Sequence, residues 1–118
     1  MKRYIHSTTD FESRAFGVST EARNKYYFKG DVDTATGFMS GTVTKISPYD
    51  DAEYYWARIN SNGVARIMRN GEQVDKIHLW SYEEDEEDIN DYFYNIILAV
   101  ADELDEFNKD IKPVMVHY

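Results

Sequence analysis

The chain of 118 residues contains no cysteine, and it has only two prolines and six glycines. The absence of cysteine excludes a disulfide framework and any cysteine-based zinc or redox site. Basic residues are also outnumbered, 13 against 22 acidic ones, which gives a formal net charge of −9. Because proteins bind nucleic-acid phosphate with basic surfaces, this balance predicts no direct nucleic-acid binding.

Long apolar runs are absent as well. The longest apolar stretch, in residues 92–101, is interrupted by Asn95 and is about half the roughly 20 residues needed to span a bilayer. The basic residues Lys2 and Arg3 are followed by residues 4–10, which do not form the apolar core of a signal peptide. The sequence therefore predicts no membrane association, and the cytoplasm is the expected compartment.

Aromatic residues, in contrast, are abundant at 15%, and ten of them are tyrosines. They provide the core-forming side chains that a disordered chain lacks. No linker rich in Gly, Ser or Pro divides the sequence. We therefore expect residues 1–118 to form a single domain.

Residues 25–80 alternate β-prone stretches with turn signals. Asn62-Gly63 and Asn70-Gly71 are typical of hairpin turns, and residues 33–37 form a loop by composition that ends in Gly37. Strands are predicted over 25–32, 38–46, 53–59, 64–69 and 73–80, with a turn at 47–51. This pattern indicates an antiparallel β-meander of five to seven strands.

A long helix is predicted after the strands. Apolar residues from Ile89 to Phe107 follow one another at spacings of 4, 3, 1, 3, 4 and 3, which is one face of an α-helix. Ser81 and Glu84 resemble a capping box, so the helix is expected to begin between 81 and 88. Strands followed by a helix packed across one face of the sheet indicate an α+β fold.

The two ends of the chain carry weaker signals. Residues 4–5 resemble a short edge strand, and residues 114–116, after Pro113, a terminal strand. Asp10 and Gly17 predict a short helix over 11–16, with a further turn over 19–23. We expect residues 1–24 to cover the outer face of the sheet, with a homodimer as the alternative cover.

The same patterns predict the hydrophobic core. Its members are expected on the inward faces of the strands and on the apolar face of the helix. They are Phe28, Val43, Ile46, Trp56, Ile67, Ile77, Leu79, Phe93, Ile96, Ile97, Val100 and Leu104.

The negative charge is concentrated in one segment. Residues 83–110 contain twelve acidic residues and one basic residue, Lys109, for a net charge of −11, which leaves +2 for the rest of the chain. Carboxylates in 83–91 lie near the positive end of the helix dipole, where each is stabilising by roughly 0.3–1 kcal/mol.

A second acidic cluster lies in the last turns of the helix, at the negative end of the dipole. There Asp102 and Glu106 also form a like-charge pair four residues apart, and only Lys109 opposes them. Such a violation of a stability rule tends to mark function. Uncharged Tyr92 and Asn95 are expected to be exposed between the two clusters, whose centres lie about 25 Å apart along the helix. The predicted partner-binding residues are Asp85, Asp88, Asp91, Tyr92, Asn95, Asp102, Glu103, Asp105 and Glu106.

The basic residues Arg58, Arg66, Arg69 and Lys76 are expected on outward strand positions. Cross-strand pairing with Glu53, Glu72 or Asp75 is the expected arrangement.

A short, cysteine-free, acidic, Tyr-rich chain that opens Met-Lys-Arg-Tyr-Ile resembles the small proteins of phages and mobile elements, among them anti-CRISPR proteins and other DNA mimics. The resemblance is one of composition and covers mainly the C-terminal third. It implies a protein-binding inhibitor that blocks the basic nucleic-acid-binding surface of a target, such as a CRISPR effector nuclease.

Other functions fit parts of the pattern. An immunity protein or antitoxin would cover a basic toxin with the same acidic surface, and a solvated helix face would need no partner at all. A small enzyme has less support, because the three histidines, His6, His78 and His117, lie far apart and show no metal-ligand spacing. We therefore expect a non-enzymatic protein without metal or cofactor.

Overall fold

The computed structural model describes residues 11–46 and 53–111. They form an α+β arrangement, a six-stranded antiparallel sheet with one C-terminal helix packed against it. The strand order follows the chain, so each strand pairs with its neighbour in sequence. The elements are β1 (Phe11–Ser19), β2 (Lys25–Asp33), β3 (Met39–Lys45), β4 (Trp56–Asn60), β5 (Val64–Arg69), β6 (Glu72–His78) and α1 (Ile89–Asn108).

The tight turns form where the sequence predicts them. In the β2–β3 loop, the Asp33 carboxylate accepts hydrogen bonds from the backbone N–H groups of Ala35 (2.8 Å) and Thr36 (3.2 Å), and Gly37 closes the loop with φ +83°. Between β5 and β6, Asn70 and Gly71 take φ values of +55° and +79°. Positive φ at both central residues is the geometry of a tight type I′ hairpin.

The core lies between the sheet and α1. The buried helix side chains include Phe93, Ile96, Ile97, Val100 and Leu104, which are fully shielded from solvent. They pack with the inward side chains of the sheet, which include Tyr26, Phe28, Val43, Ile59 and Ile67. We call this the inner face of the sheet, and the opposite face the outer face.

The predicted N-terminal helix is wrong. Residues 11–19 form β1, which pairs along its whole length with β2, from Phe11 opposite Asp33 to Ser19 opposite Lys25. Phe16 and Val18 alternate inward and pack on the core, so pairing with β2 outweighs the local helix signals. The predicted strands at 4–5 and 114–116 and the turn at 47–51 lie outside the described residues.

Because β1 extends the sheet edge, residues 11–24 do not cover the outer face as predicted. Tyr27 on that face remains 40% exposed. Two predicted core residues also lie elsewhere. Ile46 is exposed because Met39 and Val43 take the inward positions of β3, which turns Ile46 outward, and Trp56 is half-buried because Ala57 and Ile59 take the inward positions of β4.

The helix begins at the end of the predicted range of 81–88, and not at the capping box. Its N-cap is Asp88, whose carboxylate accepts a 2.9 Å hydrogen bond from the Asn90 backbone N–H. Ser81 lies in the non-helical segment between β6 and α1, which lacks the apolar periodicity that begins at Ile89.

Candidate functional site

The helix turns one polar face to solvent. We call this the acidic helix face and define it as Asp91, Tyr94, Asn95, Asp102, Glu103 and Glu106, all of which are exposed. They are exposed because the apolar positions on the other side of α1 bury themselves against the sheet. Asp91 and Glu106 are fifteen residues apart, which places them about 22 Å apart along the helix axis at a rise of about 1.5 Å per residue.

Most of the predicted site residues lie on this side of the molecule. Asp91, Asn95, Asp102, Glu103 and Glu106 belong to the acidic helix face. Asp85 and Asp88 are exposed in the segment that precedes α1. The structure therefore brings seven of the nine predicted residues to the surface of one helix and its approach.

Tyr92 is the first exception, because it is buried with 5% exposure rather than exposed as predicted. Its hydroxyl donates a 2.7 Å hydrogen bond to the Trp80 backbone oxygen, and its ring contacts Tyr82 at 5.3 Å between centroids. Burial, with a smaller contribution from Glu87, raises the pKa of the Tyr92 hydroxyl. Tyr92 thus fixes the segment after β6 to the helix, and Tyr94, 44% exposed, is the aromatic residue of the acidic helix face.

Asp105 is the second exception. Its Oδ1 accepts hydrogen bonds from the Tyr26 hydroxyl (2.8 Å) and from the Asn24 side-chain amide (3.0 Å), so it is half-buried and already bonded. The expectation that Asp105 brings no local gain is therefore wrong, because it bonds α1 to β2 and to the turn before it. Burial raises the pKa of Tyr26 well above its ordinary range, which keeps that hydroxyl protonated as a donor.

Asn108 completes this polar network beneath the end of the helix. Its side-chain amide donates to the Tyr26 hydroxyl (3.2 Å) and to the Tyr55 backbone oxygen (3.3 Å), and its oxygen accepts from the Tyr55 backbone N–H (2.7 Å). The network joins α1 to β2 and to the start of β4. Part of the polarity of the last helical turns is therefore structural.

Asp102, one turn before Asp105, differs from it because its side chain is exposed. Desolvation raises the pKa of Asp102, and the carboxylates of Asp105 and Glu21 raise it further. Glu21 lies in the turn between β1 and β2, and its position beside the helix depends on the tertiary fold. Its carboxylate adds to those of Asp102, Glu103 and Glu106 at this end of the acidic helix face.

Little positive charge balances this end of the molecule. The last turn of α1 contains no basic residue. Within the described residues, the ion pairs are Lys109 with Glu106 at 3.2 Å and Arg14 with Glu12, so Asp102 and Glu103 have no ion-pair partner there. The acidic helix face therefore keeps charge that neighbouring side chains do not neutralise.

An aromatic cavity lies near the other end of the helix. It has a volume of about 210 Å³ and is formed by the β2–β3 and β4–β5 turns and by the segment from Leu79 to Tyr82. Phe38 and Trp80 line it and are exposed, and the acidic residues 83–88 follow directly in sequence. The cavity was not predicted, because its walls come from two turns, the segment after β6 and the helix, which are far apart in sequence.

Residues 11–46 and 53–111 bring together no group of three His, Asp or Glu side chains that could hold a metal ion. In the same part of the chain, no helix has both the length and the apolar character needed to cross a membrane. Comparison with protein-family models, with curated proteins and with solved structures finds no match for this chain.

Proposed function

We propose that this chain is a non-enzymatic, protein-binding inhibitor whose acidic helix face occupies the basic nucleic-acid-binding surface of another protein. The observation that carries the proposal is the exposed pair Asp102 and Glu103, which lies in the C-terminal half of α1 and has no ion-pair partner among the described residues. Like charges that no cation opposes lower the stability of a helix, so a structural role does not explain them. Binding to a basic groove does explain them.

Rigidity supports this proposal. The acidic helix face is carried on a 20-residue helix whose opposite side is fully buried against the sheet. Its carboxylates are therefore held at fixed positions over about 22 Å. Basic channels that bind DNA are adapted to a regular line of phosphates, and a rigid line of carboxylates copies that pattern.

Exposed aromatic residues supply uncharged contacts. Tyr94 stands within the acidic helix face, and Trp80 and Phe38 lie at the cavity beside residues 83–88. Tyrosine and tryptophan are enriched among the residues that dominate binding energy at protein interfaces. Charge then provides fast, salt-dependent association, and the aromatics provide short-range affinity.

In this proposal the chain acts in the cytoplasm as a phage-type inhibitor, similar to anti-CRISPR proteins and DNA mimics, and needs neither metal nor cofactor. An immunity protein for a basic toxin would use the same surface. The identity of the bound protein distinguishes the two.

The test is capture of proteins from host lysate by the immobilised full chain, with competition by duplex DNA. We expect capture of a nucleic-acid-binding protein that excess duplex displaces. The variant Asp102→Asn/Glu103→Gln/Glu106→Gln should lose this protein. The matched control Asp31→Asn/Glu72→Gln/Asp75→Asn removes the same number of exposed charges from the sheet and should retain it.

Two results would overturn the proposal. In the first, the captured proteins resist duplex competition. In the second, both variants capture them equally. A captured toxin nuclease would instead identify the immunity function.

A further inference from the structure

The outer face of the sheet carries a straight line of cations. Lys29 lies opposite Thr42, Thr42 opposite Arg58, Arg58 opposite Arg66, and Arg66 opposite Lys76. We call Lys29, Arg58, Arg66 and Lys76 the cation row. With strands about 4.8 Å apart, the row extends about 19 Å across five strands.

The alignment of these cations is unfavourable for the sheet itself, because like charges directly opposite one another destabilise strand pairing. Of the predicted cross-strand pairings, the register places Arg69 opposite Glu72, but the described residues contain no ion pair between these basic residues and Glu53, Glu72 or Asp75. The Arg66 guanidinium donates instead to Gln73 Oε1 at 2.8 Å, and Arg69 donates to the Glu53 backbone oxygen at 3.1 Å. Arg58 lies over the Trp56 ring, with its guanidinium carbon 5.5 Å from the ring centroid.

Aromatic side chains form a second line beside the cation row. Tyr27 stands two residues before Lys29 on β2, and Trp56 two residues before Arg58 on β4, so each shares the outer face with its cation. The two aromatics are two strands apart, about 10 Å, and each is about 7 Å along its strand from the cation. Tyr27 is exposed and Trp56 is half-exposed.

We propose that the outer face binds single-stranded nucleic acid. Its phosphates would lie along the cation row, and its bases would stack on Tyr27 and Trp56. Proteins that bind single strands combine a basic surface along the backbone with aromatic side chains on which successive bases stack. An acidic protein partner would match the cations but would leave the aligned aromatics unexplained.

This inference differs from the expectation of no direct nucleic-acid binding. That expectation rested on the total charge of −9, but residues 83–110 account for more than all of it. The remainder of the chain has a net charge of +2. The cation row and the acidic helix face lie on opposite sides of the sheet, so one protein presents both charges separately.

The test is fluorescence anisotropy of a labelled deoxythymidine single strand of about 15 nucleotides, within the site size of such proteins. A duplex of equal length is measured in parallel. We expect the full chain to bind the single strand, and the duplex at least tenfold more weakly. Arg58→Gln/Arg66→Gln should weaken binding at least tenfold. It should also reduce the steepness of log K against log salt by about 1.4, or about 0.7 for each phosphate contact.

Stacking is tested separately by tryptophan emission. In the variant Trp80→Phe, Trp56 is the remaining tryptophan, and the single strand should quench its emission. The matched charge control is Asp102→Asn/Glu103→Gln, which changes the opposite side and should bind the single strand at least as tightly as the native chain. Circular dichroism of each variant confirms that it is folded.

Three results would overturn the inference. The first is no anisotropy change up to about 100 µM chain, the weak limit of non-specific binding. The second is binding that Arg58→Gln/Arg66→Gln leaves unchanged. The third is salt-sensitive self-association that the same substitutions abolish, because the acidic helix face of a second copy would then occupy the outer face.

Discussion

The Tyr26 hydroxyl donates a 2.8 Å hydrogen bond to Oδ1 of Asp105, which lies 79 residues further along the chain. This bond separates two roles within one acidic cluster. Asp105 holds the end of α1 on β2, whereas Asp102 and Glu103 project into solvent. The carboxylates of the last helical turns therefore have different roles, and substitutions at Asp105 and at Asp102 should have opposite effects on stability.

We predict that Asp105→Ala destabilises the fold more than Asp105→Asn. Both remove the charge, but only alanine leaves the buried Tyr26 hydroxyl without its acceptor, a loss of about 1–3 kcal/mol. Urea denaturation of both variants measures the difference. Equal stabilities would show that the bond contributes nothing.

Asp102→Asn should act in the opposite direction and raise stability at neutral pH. The pKa of Asp102 is raised in the folded state, so folding favours its protonated form and ionisation opposes folding. The gain over the native chain should be about 0.5 kcal/mol at pH 7, typical of the repulsion between like charges three or four residues apart on a helix. It should disappear as the pH falls below the ordinary value of 3.8, where the carboxyl is protonated in both states.

Asp91→Asn is the matched control for this pH effect. Asp91 lies in the first turn of α1, at the positive end of the dipole, so its loss should lower stability at pH 7 by about 0.3–1 kcal/mol. Denaturation midpoints across pH compare the two variants. A gain from Asp91→Asn would contradict the favourable interaction with the helix dipole, and a loss from Asp102→Asn would contradict the repulsion from Asp105 and Glu21.

The two tyrosines of the helix should separate stability from binding. Tyr92→Phe removes the bond to the Trp80 backbone oxygen and should lower the free energy of unfolding by about 1 kcal/mol, with partner capture unchanged. Tyr94→Ala should leave stability nearly unchanged but weaken capture, because its side chain is exposed. If Tyr92→Phe weakened capture and Tyr94→Ala lowered stability, Tyr92 would be the contact residue instead.

Gly37→Ala should destabilise the β2–β3 loop in two ways, by the strain of a positive φ and by a steric clash of the added Cβ. An added Cβ would lie 2.5 Å from Tyr82 Cβ, at φ +83°. Gly71 has a similar φ of +79° but nothing within 4 Å, so Gly71→Ala measures the conformational part, about 1–2 kcal/mol. Thermal denaturation should show that Gly37→Ala lowers the free energy of unfolding by about 1 kcal/mol more than Gly71→Ala does. Equal losses would mean that the loop relaxes to admit the methyl group.

Much of the fold follows from local signals. The helical periodicity from Ile89 and the Asn-Gly turns predict α1 and the β4–β6 hairpins. β1 could not be predicted, because Asp10 and Gly17 resemble the boundaries of a helix over 11–16, whereas the strand runs through Gly17 to Ser19 and depends on pairing with β2. Local sequence signals predict most of the helices and strands. At 11–19, where helix and strand signals compete, tertiary contacts decide which of the two forms.

In the candidate site, too, some features follow from the local sequence and others depend on tertiary contacts. Exposure of Asp102 and Glu103 follows from their position opposite the apolar helix face. Tyr92 lies at the border of that face, and its burial depends on Trp80 and Tyr82, which only the folded segment brings near. The cation row is likewise invisible in sequence. Outward strand positions were predicted for Arg58 and Arg66, but their alignment depends on strand register.

The most direct test of the central claim is the salt dependence of affinity between the captured partner and two chains, native and Asp102→Asn/Glu103→Gln/Glu106→Gln. If the acidic helix face binds a basic surface, the native affinity should fall steeply with salt. The variant should then bind at least tenfold more weakly, with a shallower dependence and no loss of stability. Equal affinity and equal salt dependence in the two chains would contradict the account and leave the acidic helix face as a solvated surface.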